Sequence, residues 1–124
     1  MVSLAAARKL ALSLPEAVER DHFGSPSFRV KGKIFAQLSD AAGDERRPLV
    51  KLSVADQAAL IMSDPDTFSS VQQWGRYGWT HVQLARVGES MLRKALCQSW
   101  RPVAPKKLIA ASSDAYMKKN RTGG

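Results

Sequence analysis

Apolar residues recur at helical spacing at the start of the chain. Ser3 precedes this run as an N-cap and Pro15 follows it. The apolar positions lie three or four residues apart: Leu4, Ala7, Leu10, Ala11 and Leu14. The spacing predicts an amphipathic helix with one face covered by the rest of the molecule.

The pattern then changes to the alternation typical of strands. We predict three extended segments, at 27–31, 34–38 and 49–52. Gly32 and Lys33 separate the first two as a tight hairpin turn, and Phe28 and Val30 face the core. The polar segment 40–47 is expected to be an exposed loop before the third strand. Together these strands predict an antiparallel meander.

A capping-box pattern marks the next helix. Ser53 and Asp56 begin it, and the Asp-Pro pair at 64–65 ends it. A further short helix is expected to start at position 66 or 67. Both helices would pack on the same face of the sheet as the first helix.

A strand and a long helix are predicted in the second half. The strand covers 79–84, with Val82 and Leu84 on one face. The helix covers 89–100, and a last helical piece covers 106–117. The buried side of the long helix is formed by Met91, Leu92, Ala95, Leu96 and Ser99. This order of elements predicts an α+β fold, with helices packed on one face of an antiparallel sheet.

Length and composition indicate one globular domain. With 124 residues, 44% hydrophobic and 24% charged, the chain is expected to form a single domain at 1–117 and a basic flexible tail at 118–124. It contains no run of roughly 20 apolar residues and no signal-peptide pattern at the start, so we expect a cytoplasmic protein without a membrane partner. Cys97 is the only cysteine, which excludes an intrachain disulfide.

The net charge says more about possible binding partners than the composition does. A net charge of +8, from 19 Lys and Arg against 11 Asp and Glu, attracts polyanions. The tail holds only three of these cations, so the excess is not confined to it. DNA or RNA is therefore the first partner to consider, and the alternative is that the charge only keeps the protein soluble.

Several separated motifs resemble those of the MmcQ/YjbR family. They run in order from about residue 8 to residue 110, at 12–16, 22–24, 28–36, 74–75 with 78–80, 95–100 and 103–106. The resemblance implies a compact α+β fold with an antiparallel sheet, similar to double-wing and frataxin-like proteins. It also implies a DNA-binding role, an expectation that rests on analogy of fold. Frataxins bind iron through an acidic ridge, which this sequence lacks, so we expect no iron handling.

Alternation along the predicted strands gathers basic and polar residues on the sheet face away from the helices. Cations there would neutralise phosphates while an aromatic ring stacks on a base. The candidate nucleic-acid-binding residues are Arg29, Lys31, Lys51, Trp79, His81 and Gln83. The alternative is an ordinary solvated sheet face. A secondary basic patch is predicted at Arg101, Lys106 and Lys107.

The segment Trp74–Trp79 supports a second hypothesis. Its aromatic residues and two glycines suit a small-molecule or protein interaction module. The same residues also suit a tightly packed turn, and the chain has no phosphate-binding glycine motif.

Catalysis and metal binding find little support in the sequence. His22 and His81 are the only histidines, and neither has a cysteine or paired carboxylate at ligand spacing. Cys97 lies among apolar residues, as a structural cysteine does. We predict no catalytic residue, no metal and no cofactor, and an enzyme is the least supported class.

Overall fold

The computed structural model describes residues 1–22, 25–38, 48–71 and 74–107. The helices in these ranges are α1 (Leu4–Leu12), α2 (Val54–Ser63) and α3 (Glu89–Trp100). The strands are β1 (Val18–His22), β2 (Ser25–Val30), β3 (Lys33–Gln37), β4 (Leu49–Lys51), β5 (Phe68–Ser70) and β6 (Trp79–Val82). Within the same ranges, short 3₁₀ helices cover Gly75–Tyr77 and Arg101–Val103.

The strands form one antiparallel sheet in the order β1-β2-β3-β4-β6-β5. Helix α3 packs on β3 and β4, α1 packs on α3, and α2 packs beside β5. The predicted α+β fold with an antiparallel sheet is confirmed, but the sheet has six strands among the described residues where the sequence pattern predicted four.

Helix α1 begins as predicted and ends earlier than predicted. The Ser3 hydroxyl accepts a hydrogen bond from the Ala6 N–H at 3.1 Å, which satisfies one of the free amides of the first turn. The helix ends at Leu12 because Leu14 precedes Pro15, and the proline ring disfavours helical backbone in the residue before it.

The turn between β2 and β3 lies one residue before the predicted position. Lys31 and Gly32 form it, with φ angles of 51° and 83°. Two positive φ angles define a type I′ turn, which favours glycine at the second position, so Gly32 fixes the turn at 31–32. Lys31 therefore belongs to the turn and not to a strand face, which corrects the sequence prediction.

The sequence pattern missed both edge strands. β1 reads Val-Glu-Arg-Asp-His, without an apolar stripe, and β5 has only three residues. The prediction of a short helix from position 66 or 67 is wrong. Thr67 and Phe68 both donate backbone hydrogen bonds to the carbonyl of Asp64, which makes a single turn before Phe68 enters β5.

The other predicted elements are largely confirmed. Helix α3 has the predicted bounds, and Ser53 caps α2 by accepting from the Asp56 N–H at 3.1 Å. β6 ends at Val82, two residues before the predicted end. The predicted loop 40–47, the tail 118–124 and most of the last helical piece lie outside the described residues.

The core lies between the sheet and the helices. Phe28 and Val30 are fully buried, as predicted, together with Phe35 and Leu96. The opposite sheet face is not uniformly exposed, because cross-strand positions on it also have buried side chains: Ser27, Leu49 and His81. The exposed part of that face is consequently smaller than alternation alone predicts.

Candidate nucleic-acid interface

Strand register gathers cations at one end of the sheet, which we call the hairpin end because it carries the β2–β3 turn. Lys31 lies in this turn, and Arg29 pairs with Ile34 near it. β3 and β4 are antiparallel with Val50 opposite Ala36, so Lys51 at the end of β4 lies level with Phe35, next to the Arg29–Ile34 pair. Lys51 in turn pairs with Trp79 of β6. The row from Arg29 to Trp79 thus crosses four neighbouring strands.

Lys51 and Trp79 interact directly. They are cross-strand partners, and the Lys51 ammonium nitrogen lies 6.0 Å from the centroid of the Trp79 ring. A cation at this distance from an indole is attracted by the electrons of the ring. Lys51 is exposed and Trp79 is half-buried, so the pair presents both a positive charge and an aromatic surface to solvent.

Two glycines let the loop before β6 pack closely, Gly78 on Leu52 just after β4 and Gly75 on Ser70 of β5. Gly78 has φ 95°, and a Cβ atom there would lie 1.7 Å from the carbonyl oxygen of Leu52. The Leu52 N–H donates to the Gly78 carbonyl at 2.9 Å. A Cβ atom on Gly75 would lie 2.7 Å from the Cβ of Ser70. The predicted close packing of this loop is therefore present, and only glycine permits it.

A buried glutamine completes the support of the loop. The Gln57 side-chain amide donates to the Trp79 carbonyl at 3.1 Å and to the Thr80 hydroxyl at 3.2 Å. Thr80 donates onward to the Gly78 carbonyl at 3.0 Å. Buried networks of this kind fix backbone conformation when their donors find partners. Sequence reasoning missed Gln57, although a polar residue one turn before the apolar Leu60 was a usable signal.

Two aromatic side chains of the loop face solvent. Trp74 is 57% exposed and Tyr77 is 53% exposed, with ring centroids 6.2 Å apart. The Arg76 guanidinium lies 4.9 Å from the Tyr77 ring centroid. We call the whole group the cation–aromatic surface, formed by Lys51, Trp74, Arg76, Tyr77 and Trp79.

The remaining predicted residues of the sheet face differ in exposure. Arg29 is half-buried and Lys31 is exposed in the turn. His81 is only 9% exposed, so it offers little area to a ligand. Gln83 is half-buried and follows the end of β6. The structure thus brings Lys51 and Trp79 into contact and places Arg29 and Lys31 at the same end of the sheet.

The predicted secondary basic patch lies near the C-terminal end of the described residues. Arg101 opens the 3₁₀ helix that follows α3. All three of its residues are exposed: Arg101, Lys106 and Lys107.

The described residues show no further chemistry typical of an active site. Burial raises the pKa of the Cys97 thiol, and the charges of Arg93 and Arg101 lower it in part. Such a thiol stays protonated near neutral pH. Among the described ranges there is no group of three or more His, Cys, Asp or Glu side chains arranged to hold a metal ion. No helix within them has the length and apolar character needed to cross a bilayer.

Fold and surface together define a small basic α+β protein with a six-stranded antiparallel sheet. The YjbR family model matches residues 12–102, and the chain belongs to the YjbR family. The resemblance seen in the sequence motifs is thereby confirmed.

A solved structure supports the same fold. The chain is similar to the crystal structure of the Deinococcus radiodurans protein DR2400, which is described with the family-model domain DUF419. The TM-score is 0.69 at 22% sequence identity, and the match covers 86% of this chain and 82% of the other. At this identity the likeness bears on the fold alone. Among curated proteins no relative matches the chain.

Proposed function

We propose that this protein is a non-enzymatic nucleic-acid-binding domain that uses the hairpin end of its sheet. The Lys51 ammonium over the Trp79 ring carries the proposal, because it joins a cation of the sheet to the last aromatic ring of the loop. Arg29 and Lys31 extend the positive charge across the sheet, and Arg76 extends it along the loop.

Each part of this surface suits a different part of a nucleic acid. Lys and Arg neutralise phosphates and release their counterions. Aromatic rings stack on bases, which contributes about 1–3 kcal/mol per base. Because the two act on neighbouring groups of one nucleotide, a surface that combines cations and an aromatic ring suits a strand lying along it.

The dimensions suit a short stretch of strand. Neighbouring strands of a sheet lie about 4.8 Å apart, so the row from Arg29 to Trp79 is roughly 14 Å long. At about 3.4 Å per stacked nucleotide this is the length of roughly four nucleotides.

Unpaired bases suit the exposed rings better than a duplex does. Trp74 and Tyr77 can stack only on a base whose face is accessible, and bases in a duplex are stacked on one another. We therefore expect single strands to bind more tightly than duplexes of the same length.

The test is a titration of labelled single-stranded oligonucleotide at several salt concentrations. Replacing Arg29, Lys31 and Lys51 together by Ala removes up to three phosphate contacts. This should weaken binding and reduce the slope of log K against log salt by about 2. The matched control replaces Lys9, Arg86 and Lys94 by Ala, which removes the same charge from α1, the loop before α3 and α3 itself. Equal effects of the two triple variants would reject this surface.

A second candidate function is a protein interaction module on the aromatic loop. It is favoured by the exposure of Trp74 and Tyr77 on a loop that two glycines hold in place. Trp, Tyr and Arg are the residues that contribute most at protein interfaces. Binding of this kind would survive high salt and be lost on Trp79→Ala, whereas nucleic-acid binding would weaken steeply with salt.

A further inference from the structure

A recess of about 350 Å³ lies beside the β2–β3 turn, at the opposite end of the row from Trp79. Its walls come from β1, from β2 and from the turns next to them. Three cations and one carboxylate line it, together with one apolar side chain and a glycine: Arg20, Arg29, Lys31, Glu16, Val18 and Gly32.

The guanidinium of Arg29 is held in a fixed orientation in this recess. Its Nε donates to the Ser27 hydroxyl at 3.2 Å, and its Nη1 donates to the Gly32 carbonyl at 3.3 Å. Ser27 is fully buried, and its hydroxyl donates to the Arg20 carbonyl at 2.8 Å. A guanidinium held by other hydrogen bonds loses less rotational freedom when it binds an oxyanion.

Two residues that line the recess have an uncommon backbone conformation. Glu16 and Lys31 are the two non-glycine residues with positive φ in the described ranges, and both line the recess. The type I′ turn accounts for Lys31. Such conformations cost free energy and cluster at ligand sites.

Glu16 has a separate structural cause. The Ala17 N–H donates to the Leu14 carbonyl at 3.1 Å, so Glu16 is the third residue of a turn, where φ is 58°. Glycine is the usual residue with positive φ at this position. The indole N–H of Trp100 holds the carbonyl of Pro15 at 2.9 Å, which fixes this turn at the rim of the recess.

We propose that the recess binds a phosphomonoester, presented by the end of a nucleic-acid strand, and this rests on the proposed function. The lining cations exceed the lining carboxylate by two charges. A phosphomonoester carries about −1.5 to −2 charges near pH 7, whereas an internal phosphodiester carries one. The charge of the recess therefore matches a terminal phosphate better than an internal one.

The lining also includes a carboxylate and an apolar side chain. The Glu16 carboxylate opposes anion binding, so the positive charge of the recess comes from the excess of lining cations. Val18 is 43% exposed and gives an apolar surface for the adjoining sugar or base. A strand would then end in the recess and run along the hairpin end toward Trp79.

Three versions of one single-stranded oligonucleotide test the proposal: 5′-phosphorylated, 3′-phosphorylated and with hydroxyls at both ends. We expect one phosphorylated form to bind at least tenfold more tightly than the hydroxyl form. Arg29→Lys keeps the charge but loses the planar fork of donors, so it should abolish this preference. Lys51→Ala should weaken all three forms by the same factor and leave the preference unchanged.

The outcomes separate this proposal from the proposed function. Equal affinities for all three oligonucleotides would overturn the terminal-phosphate site and leave nucleic-acid binding standing. If no oligonucleotide binds, the proposed function fails, and a free nucleoside 5′-monophosphate then tests the recess by its effect on the Gly32 amide resonance. A shift in the wild type that is lost in Arg29→Lys supports a phosphomonoester site for free nucleotides, and no shift overturns it.

Discussion

The indole N–H of Trp100 donates to the carbonyl of Pro15 at 2.9 Å, although 85 residues separate them in the chain. Trp100 is the last residue of α3 and is almost fully buried. Pro15 lies in the turn between α1 and β1. This hydrogen bond therefore joins the end of α3 to the turn that forms the rim of the recess.

Trp100→Phe removes this donor and leaves the Pro15 carbonyl with one partner fewer. We expect the free energy of unfolding to fall by about 1–3 kcal/mol, since a partly buried acceptor loses its partner and the smaller ring packs less well in the core. Urea unfolding measures the change. Trp74→Phe is the matched control, because Trp74 is exposed and the same substitution there should change stability by less than about 0.5 kcal/mol.

Alanine substitutions at Gly78 and Gly32 distinguish the effect of a steric clash from that of backbone strain. Both have positive φ, but only at Gly78 would a Cβ atom meet the backbone of Leu52. Gly32→Ala should cost about 1–2 kcal/mol, the strain of the left-handed conformation alone. Gly78→Ala should cost clearly more and lower the affinity for oligonucleotide. Equal losses of stability in the two variants would contradict the close packing of the aromatic loop.

Gln57 is expected to act on the cation–aromatic surface from beneath. Gln57→Met keeps the volume but removes the donors that hold the Trp79 carbonyl and the Thr80 hydroxyl. We predict a loss of about 1–3 kcal/mol in stability and weaker oligonucleotide binding with an unchanged salt slope, because no charge is lost. Ala58→Gln, an exposed change in the same helix, should alter neither quantity. A reduced salt slope in Gln57→Met would contradict this positioning role.

Burial of Cys97 predicts a thiol of low reactivity. Its raised pKa means that the folded protein holds the thiol proton more tightly than the unfolded chain does. The resulting stability is present below the pKa of a free thiol, about 8.5, and is lost as pH rises through the folded pKa. The pH midpoint of Cys97 alkylation should therefore lie above that of a free thiol, with Cys97→Ser as the blank. A midpoint below 8.5 would contradict the burial.

The sequence predicted the elements that carry their own local signals. Helix α3 has an apolar stripe over its whole length, and Ser3 and Ser53 cap α1 and α2 through the hydroxyls that were expected to do so. The position of the β2–β3 turn was wrong by one residue, because the apolar pattern does not specify which two residues take positive φ. The preference of a type I′ turn for glycine at its second position specifies these two residues.

The missed features depend on contacts between distant segments. β1 and β5 carry little apolar pattern, and their pairing with β2 and β6 makes them strands. The alternation of β6 placed Trp79 and His81 on one face, but only the register of β4 against β6 brings Lys51 over the Trp79 ring. No local pattern could show that His81 on the same face is buried.

The most direct test of the central claim is an NMR titration of the ¹⁵N-labelled protein with a short single-stranded oligonucleotide. We predict that the largest shifts fall on the backbone amides of Gly32 and Lys51 and on the indole N–H groups of Trp74 and Trp79. The amides of α1 and α3 should change little. Shifts concentrated on those two helices, with the hairpin end unaffected, would contradict the account.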